Sequence, residues 1–124
     1  MKRFSVKKIF TASLVIGALA SVGLASPAQA AKSQCTSTGW ICEWGGTNYS
    51  GIFAYIDPAA GSGGWDGSCR SINSYRPRSA YNRSIIILRY YSGSSCTGSS
   101  VTLASYASSS NFGFTAYSFR DLGI

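Results

Sequence analysis

After residue 30 the chain alternates short apolar runs with stretches of Gly, Ser, Asn and Pro. The runs are Trp40–Trp44, Ile52–Ile56, Ile85–Tyr91 and Val101–Tyr106, with a weaker one at Phe112–Phe119. Each is rich in β-branched and aromatic residues and is bounded by turn formers, which is the pattern of a strand. Charges do not recur at i, i+4, and nothing reads as a long helix. The fold class expected is therefore all-β with short strands. Ile85–Tyr91 is the strongest of them. Ile86, Leu88 and Tyr90 share one face and Arg89 falls on the other, so the first three are expected to point inward.

A weak repeat runs through the pattern. Trp44-Gly-Gly-Thr-Asn-Tyr49-Ser-Gly51 and Tyr91-Ser-Gly-Ser-Ser-Cys96-Thr-Gly98 share an aromatic, then four residues, then an aromatic or Cys, then x-Gly. A strand is predicted after each, at Ile52–Ile56 and from Val101. Farther on, Ala80-Tyr81 and Ala116-Tyr117 stand as equivalents, which implies an insertion of about 11 residues in the first copy. The repeat predicts two pseudo-symmetric four-stranded Greek keys packed as a sandwich, over residues 35–84 and 85–124. Its Gly permits a turn that a Cβ would block.

The first 30 residues have a different character. Lys2, Arg3, Lys7 and Lys8 precede an uncharged apolar stretch, Ile9–Ala25, and Ala28-Gln29-Ala30 fits a small-x-small cleavage pattern. This predicts a secretory signal peptide over residues 1–30 and a single mature domain over 31–124. The apolar stretch is shorter than a membrane span needs. The whole chain has 11 Lys+Arg against 4 Asp+Glu, a net charge of +7. Without the signal it keeps seven basic residues and four acids, a net +3.

Export places Cys35, Cys42, Cys69 and Cys96 in an oxidising space. Four cysteines allow three pairings. We expect Cys35–Cys42, which flank a Ser-Thr-Gly turn, and hence Cys69–Cys96. The second bridge would tie together two Gly/Ser-rich loops, Asp57–Ser74 and Ser92–Ser100. It would be worth about 3.6 kcal/mol in the chain-entropy model. A metal site is not expected, because no C-x₂-C pair is present.

Candidate chemistry is sparse. The chain has no His, which removes the commonest general base and metal ligand. Four acids leave little for carboxylate catalysis, and Asp57-Pro58 and Asp66-Gly67 read as turns. An enzyme is not expected. Arg70, Arg76, Arg78, Arg83 and Arg89 cluster with Tyr75, Tyr81 and Tyr90. We read them as a solvated Arg/Tyr face with cation–π pairs, the alternative being an anionic polymer as partner. No nucleic-acid-binding signature appears.

Several stretches carry a family resemblance: Cys35-Thr-Ser-Thr-Gly-Trp-Ile-Cys42, Trp44–Gly51, Arg78-Ser-Ala-Tyr-Asn82 followed by Ile87-Leu-Arg-Tyr90, and the terminal Asp121-Leu-Gly123. In this order they resemble the βγ-crystallin-like peptidase inhibitor family of the Streptomyces metalloproteinase inhibitor type, over most of residues 35–124. The resemblance implies a two-Greek-key sandwich and a secreted, monomeric inhibitor of secreted proteases, with no membrane or nucleic-acid partner. It places the family's reactive bond at Cys96-Thr97. In that family the corresponding Cys closes a small ring with a second Cys a few residues on. Gly98-Ser-Ser-Val101 lacks one. Trp65, in its Gly-rich loop, is the second contact residue expected. Crystallin-type domains bind calcium. The nearest stretches here, Tyr81–Ile85 and Tyr117–Asp121, put Arg83 and Arg120 where oxygen ligands belong, so no cofactor is expected. The alternative function is a crystallin-like antimicrobial, toxin-type or structural protein of the cell envelope.

Overall fold

The computed structural model describes residues 31–60 and 65–124. The expected export signal over residues 1–30, and the middle of the Asp57–Ser74 loop, lie outside the described residues.

The described residues form eight strands and one 3-10 turn, Lys32–Gln34, with no α-helix among them. The strands are β1 (Ile41–Trp44), β2 (Phe53–Ile56), β3 (Arg70–Ser71), β4 (Ser79–Asn82), β5 (Leu88–Tyr91), β6 (Ser100–Leu103), β7 (Ser108–Ser109) and β8 (Ser118–Asp121). Two antiparallel sheets result. Sheet A runs β2-β1-β4-β7, and sheet B runs β6-β5-β8-β3. The two orders coincide when β1, β2 and β4 are exchanged for β5, β6 and β8. In each set of four the third strand crosses to complete the opposite sheet, an arrangement consistent with paired Greek keys.

The registers locate the repeat. Trp44 lies opposite Ser79, and Tyr91 lies opposite Ser118. The equivalent of Ala80-Tyr81 is therefore Phe119-Arg120, not Ala116-Tyr117. The hairpins stand 47 residues apart and β4 and β8 stand 39 apart, so the first copy is longer by eight residues, fewer than the spacing had suggested.

Inward-facing strand residues of both sheets, with Ile72, Phe112 and Ala116 from the connecting segments, make one core of Ile41, Ile72, Ala80, Leu88, Tyr90, Leu103, Phe112, Ala116 and Phe119. Tyr90 is its centre, with ring centroids 4.8 Å from Phe112 and 5.8 Å from Phe119. Each large side chain fully buried here contributes about 1.5–3 kcal/mol. Leu88 and Tyr90 are buried and Ile86 packs against them, as the alternation predicts.

Most strands begin or end short of the apolar runs, for local reasons. Ile52 closes a hairpin and is 68% exposed. Residues 83–87 form a link and not a strand, because the Asn82 side chain captures them. Its amide donates to the Ile86 carbonyl at 2.6 Å, and its Oδ1 accepts from the Ser84 amide and hydroxyl at 2.9 and 2.6 Å. Tyr106 turns outward at a left-handed φ of 60°. The run Phe112–Tyr117 is irregular yet buries Phe112 and Ala116, and strand structure starts only at Ser118.

The outer face of sheet A is a second, smaller apolar layer. Trp44 packs against Tyr49 and Phe53, with centroids 5.1 and 5.2 Å away, and Trp40 stacks on Tyr55 at 3.8 Å. Residues 31–35 lie across this face. The Trp44 indole donates to Gln34 Oε1 at 2.7 Å, and Lys32 Nζ sits 4.6 Å from the Tyr81 ring centroid. Cys35–Cys42 fastens the segment there, and Cys69–Cys96 joins the two loops expected, leaving no free cysteine.

Candidate functional site

The expected reactive residues, Cys96 and Thr97, stand in the hairpin between β5 and β6. The hairpin is folded over on itself. Ser92 N–H donates to the Ser99 carbonyl at 2.8 Å, and Gly93 N–H donates to the Thr97 carbonyl at 2.9 Å. The Thr97 hydroxyl donates back to the Ser94 carbonyl at 2.6 Å. Such closure needs left-handed backbone, found at Ser95 (φ 57°), Cys96 (58°) and Gly98 (86°). A Cβ at Gly98 would lie 2.4 Å from Ser92 Oγ, so glycine is the residue that fits. The loop is a tight turn.

Cys96 is held from two further directions. Its amide donates to Ser118 Oγ at 2.8 Å, and the same hydroxyl donates to the Gly93 carbonyl at 2.6 Å. Its sulfur is bonded to Cys69. Thr97, next in sequence, is exposed, as are Ser94 and Ser95. The tip thus offers small polar side chains on a backbone fixed from beneath.

The hairpin between β1 and β2 has the same construction. Gly46 N–H donates to Ser50 O at 2.8 Å, Ser50 Oγ to Thr47 O at 2.6 Å, and Tyr49 N–H to Ser79 Oγ at 3.1 Å. Asn48, Tyr49 and Gly51 have φ of 56°, 58° and 81°. One substitution distinguishes the two. Tyr49 turns its ring onto Trp44, whereas Cys96 in the equivalent place makes a covalent bond to another loop.

Trp65 is half-buried. Its ring centroid is 6.3 Å from that of Phe119, and the Arg70 guanidinium lies 4.7 Å from it. It lines an open cavity of about 460 Å³ with Asp66, Gly67, Arg120 and Leu122. The Ser68 hydroxyl and amide hold the Asp66 carboxyl below the usual range. Asp57 and Asp66 accept from the amides of Ala59 and Ser68, the turn geometry expected of them. Among the described residues, no group of three or more His, Cys, Asp or Glu could hold a metal ion.

The Arg/Tyr cluster is dispersed over several contacts. Arg83 donates to the Cys35 carbonyl at 2.9 Å, Arg76 lies over Tyr117 at 4.6 Å, and Arg89 donates to Thr102 Oγ1 at 2.9 Å.

In the sequence Glu43 reads as no more than one acid among four. It points into the core between the sheets and is fully buried. Oε2 accepts from the Tyr90 hydroxyl, and Oε1 has no hydrogen-bond partner among the described residues. Burial raises its carboxyl to about 7, against the opposing pull of the Tyr90 and then the Tyr75 hydroxyl. Both phenols are in turn pushed upward, first by burial and then by the Glu43 charge. Parity along β1 carries the signal: with Ile41 inward, Glu43 must be inward too.

Comparison with known families gave a match. The family model described as peptidase inhibitor family I36 matches residues 28–103, a span that takes in β1 to β6 and both folded hairpins. No curated protein and no solved structure matched the chain.

Proposed function

Because the chain belongs to peptidase inhibitor family I36, a family of inhibitors and not of enzymes, we propose that it is a secreted, monomeric inhibitor of metalloproteinase-type peptidases acting through the Ser92–Ser100 hairpin. Export would follow cleavage after Ala30, which the charged n-region and the two disulfides support. Cys96-Thr97 would occupy the peptidase cleft, with Trp65 in a secondary contact.

The observation that carries this reading is the contrast between Cys96 and Thr97. Cys96 is fixed by its amide, its sulfur and the turn itself, and Thr97 beside it is exposed. A loop ordered before it binds loses little entropy on binding. A turn at Cys96 also keeps the next peptide bond out of the extended form in which a cleft aligns a substrate for hydrolysis. The long-range Cys69–Cys96 bridge supports the tip in place of a small local ring.

The test is inhibition by purified residues 31–124 of a panel of secreted metallo- and serine peptidases. Inhibition of metallopeptidases, weakened in Thr97→Asp without a change in melting temperature, is the expected result. Equal inhibition by Thr97→Asp and the parent would move the site elsewhere, first to Trp65. Absence of inhibition at micromolar protein across the panel would overturn the reading.

A further inference from the structure

The two outer faces of the sandwich are equivalent by topology but differ in cover. On sheet A the positions Tyr55, Cys42 and Tyr81 form one row across β2, β1 and β4. The chain's own segment 31–35 lies over that row, bonded at Cys42 and resting Lys32 on Tyr81. On sheet B the equivalent row is Thr102, Arg89 and Arg120, across β6, β5 and β8. Segment 31–35 is fastened on the sheet A side, by Cys35–Cys42 and by Gln34 under the Trp44 indole.

Arg89 and Arg120 are direct cross-strand partners. Like charges so placed destabilise a sheet unless something compensates. Among the described residues no carboxylate pairs with either. Arg89 gives its Nε–H to Thr102, and Arg120 leans toward the Tyr91 ring, 6.0 Å from its centroid, with its Nε unpartnered. Arg89 is thus anchored by Thr102, and among the described residues the terminal nitrogens of both guanidinium groups make no hydrogen bond, which leaves the fork suited to bidentate carboxylate recognition. The row also adjoins the hairpin. Ser118, which holds the tip, is two residues from Arg120 on the same face of β8, about 7 Å along the strand.

We propose that the Arg89–Arg120 row is a docking surface for an acidic polypeptide segment. Given the inhibitor reading above, on which this assignment rests for its occupant, that segment is a run of Asp or Glu side chains beside the cleft of the target peptidase. The tip fills the cleft while the arginines grip its rim. Opposite charge at the rim acts chiefly on the association rate and makes it salt-dependent.

The test uses residues 31–124 in two arms. In the first, a hexaglutamate peptide is titrated at low salt while backbone amide and arginine Nε–H resonances are followed by NMR. Saturable shifts centred on Arg89, Arg120 and Thr102 are expected, abolished in the Arg89→Gln/Arg120→Gln double variant and retained in Lys32→Gln. Uniform shifts, shifts centred on Arg76 or Lys32, or tighter binding of a uronate oligosaccharide of equal charge at the same residues would overturn the assignment. In the second arm, the double variant should slow association with an inhibited metallopeptidase about tenfold at low salt and leave dissociation nearly unchanged. An unaltered association rate overturns the rim contact. Hexaglutamate binding at the arginines by a protein that inhibits no peptidase leaves the acidic-segment surface standing and removes the inhibitor reading.

Discussion

The Ser118 hydroxyl accepts a hydrogen bond from the Cys96 amide at 2.8 Å and donates one to the Gly93 carbonyl at 2.6 Å. Ser79 does the same for Tyr49 and Gly46, at 3.1 and 2.7 Å. Both serines are fully buried. One hydroxyl thus satisfies two backbone groups that the left-handed turn withdraws from the ladder.

Ser118→Ala should therefore cost about 1–3 kcal/mol, the penalty for a buried donor and acceptor left unmade. Ser79→Ala should cost a similar amount. If the Cys96 hairpin is the working surface, only Ser118→Ala lowers inhibition. Urea denaturation and an inhibition assay on the two variants check this.

Removing the Cys69–Cys96 bridge by double serine substitution should cost about 3.6 kcal/mol, and removing Cys35–Cys42, which closes a loop of eight residues, about 2.5 kcal/mol. Thermal melts of the two variants give the order. A larger loss on removing Cys35–Cys42 would mean that the cover of sheet A contributes more than the loop tie.

Much of this architecture was legible in the chain, and the misses share a cause. The disulfides, the core face of β5 and the paired hairpins follow from apolar alternation, cysteine parity and glycine at fixed offsets. β4, Ser-Ala-Tyr-Asn, gives no strand signal in the apolar pattern because its serine and asparagine look like loop residues, yet both are buried and bonded to backbone. The exchanged strands Arg70–Ser71 and Ser108–Ser109 have two residues each and no apolar signal. They exist because a neighbouring edge offers free backbone groups. At the site, the turn at Cys96 was hidden by residues that do not advertise positive φ, Ser95 and Cys96 themselves.

Glycine positions can be ranked. Gly98 and Gly113 have nearly equal φ, 86° and 84°, but an added Cβ meets Ser92 Oγ at 2.4 Å in the first and nothing within 4 Å in the second. Gly113→Ala should cost about 1 kcal/mol, for backbone strain alone. Gly98→Ala should cost more and should disturb the hairpin. Comparing melting temperatures with amide shifts at residues 92–99 separates the two effects.

Glu43 makes stability depend on pH in an unusual direction. Its carboxyl is raised from 4.5 to about 7 on folding, so the folded state holds a proton that the unfolded state releases. The stability this group contributes is complete below about pH 4.5 and is lost as pH rises through about 7. The loss is about 3 kcal/mol in all. Urea titrations at pH 5 and pH 8 should show the parent weaker at pH 8. Glu43→Gln, which fixes the neutral form, should flatten the difference. An unchanged difference in that variant would assign it to another group.

The crossing of β3 and β7 has a consequence for how the chain acquires its shape. Sheet A closes only when Ser108–Ser109 is available, and sheet B draws an edge from Arg70–Ser71. Neither half carries all the strands of its own sheet, so a chain arriving from one end has no stopping point at which a finished half can wait. Nearly the whole sequence must be present before the first edge is sealed. Long-range pairing of this kind makes folding slow and close to all-or-none, and until then the strand edges of the first half stand open to neighbouring molecules.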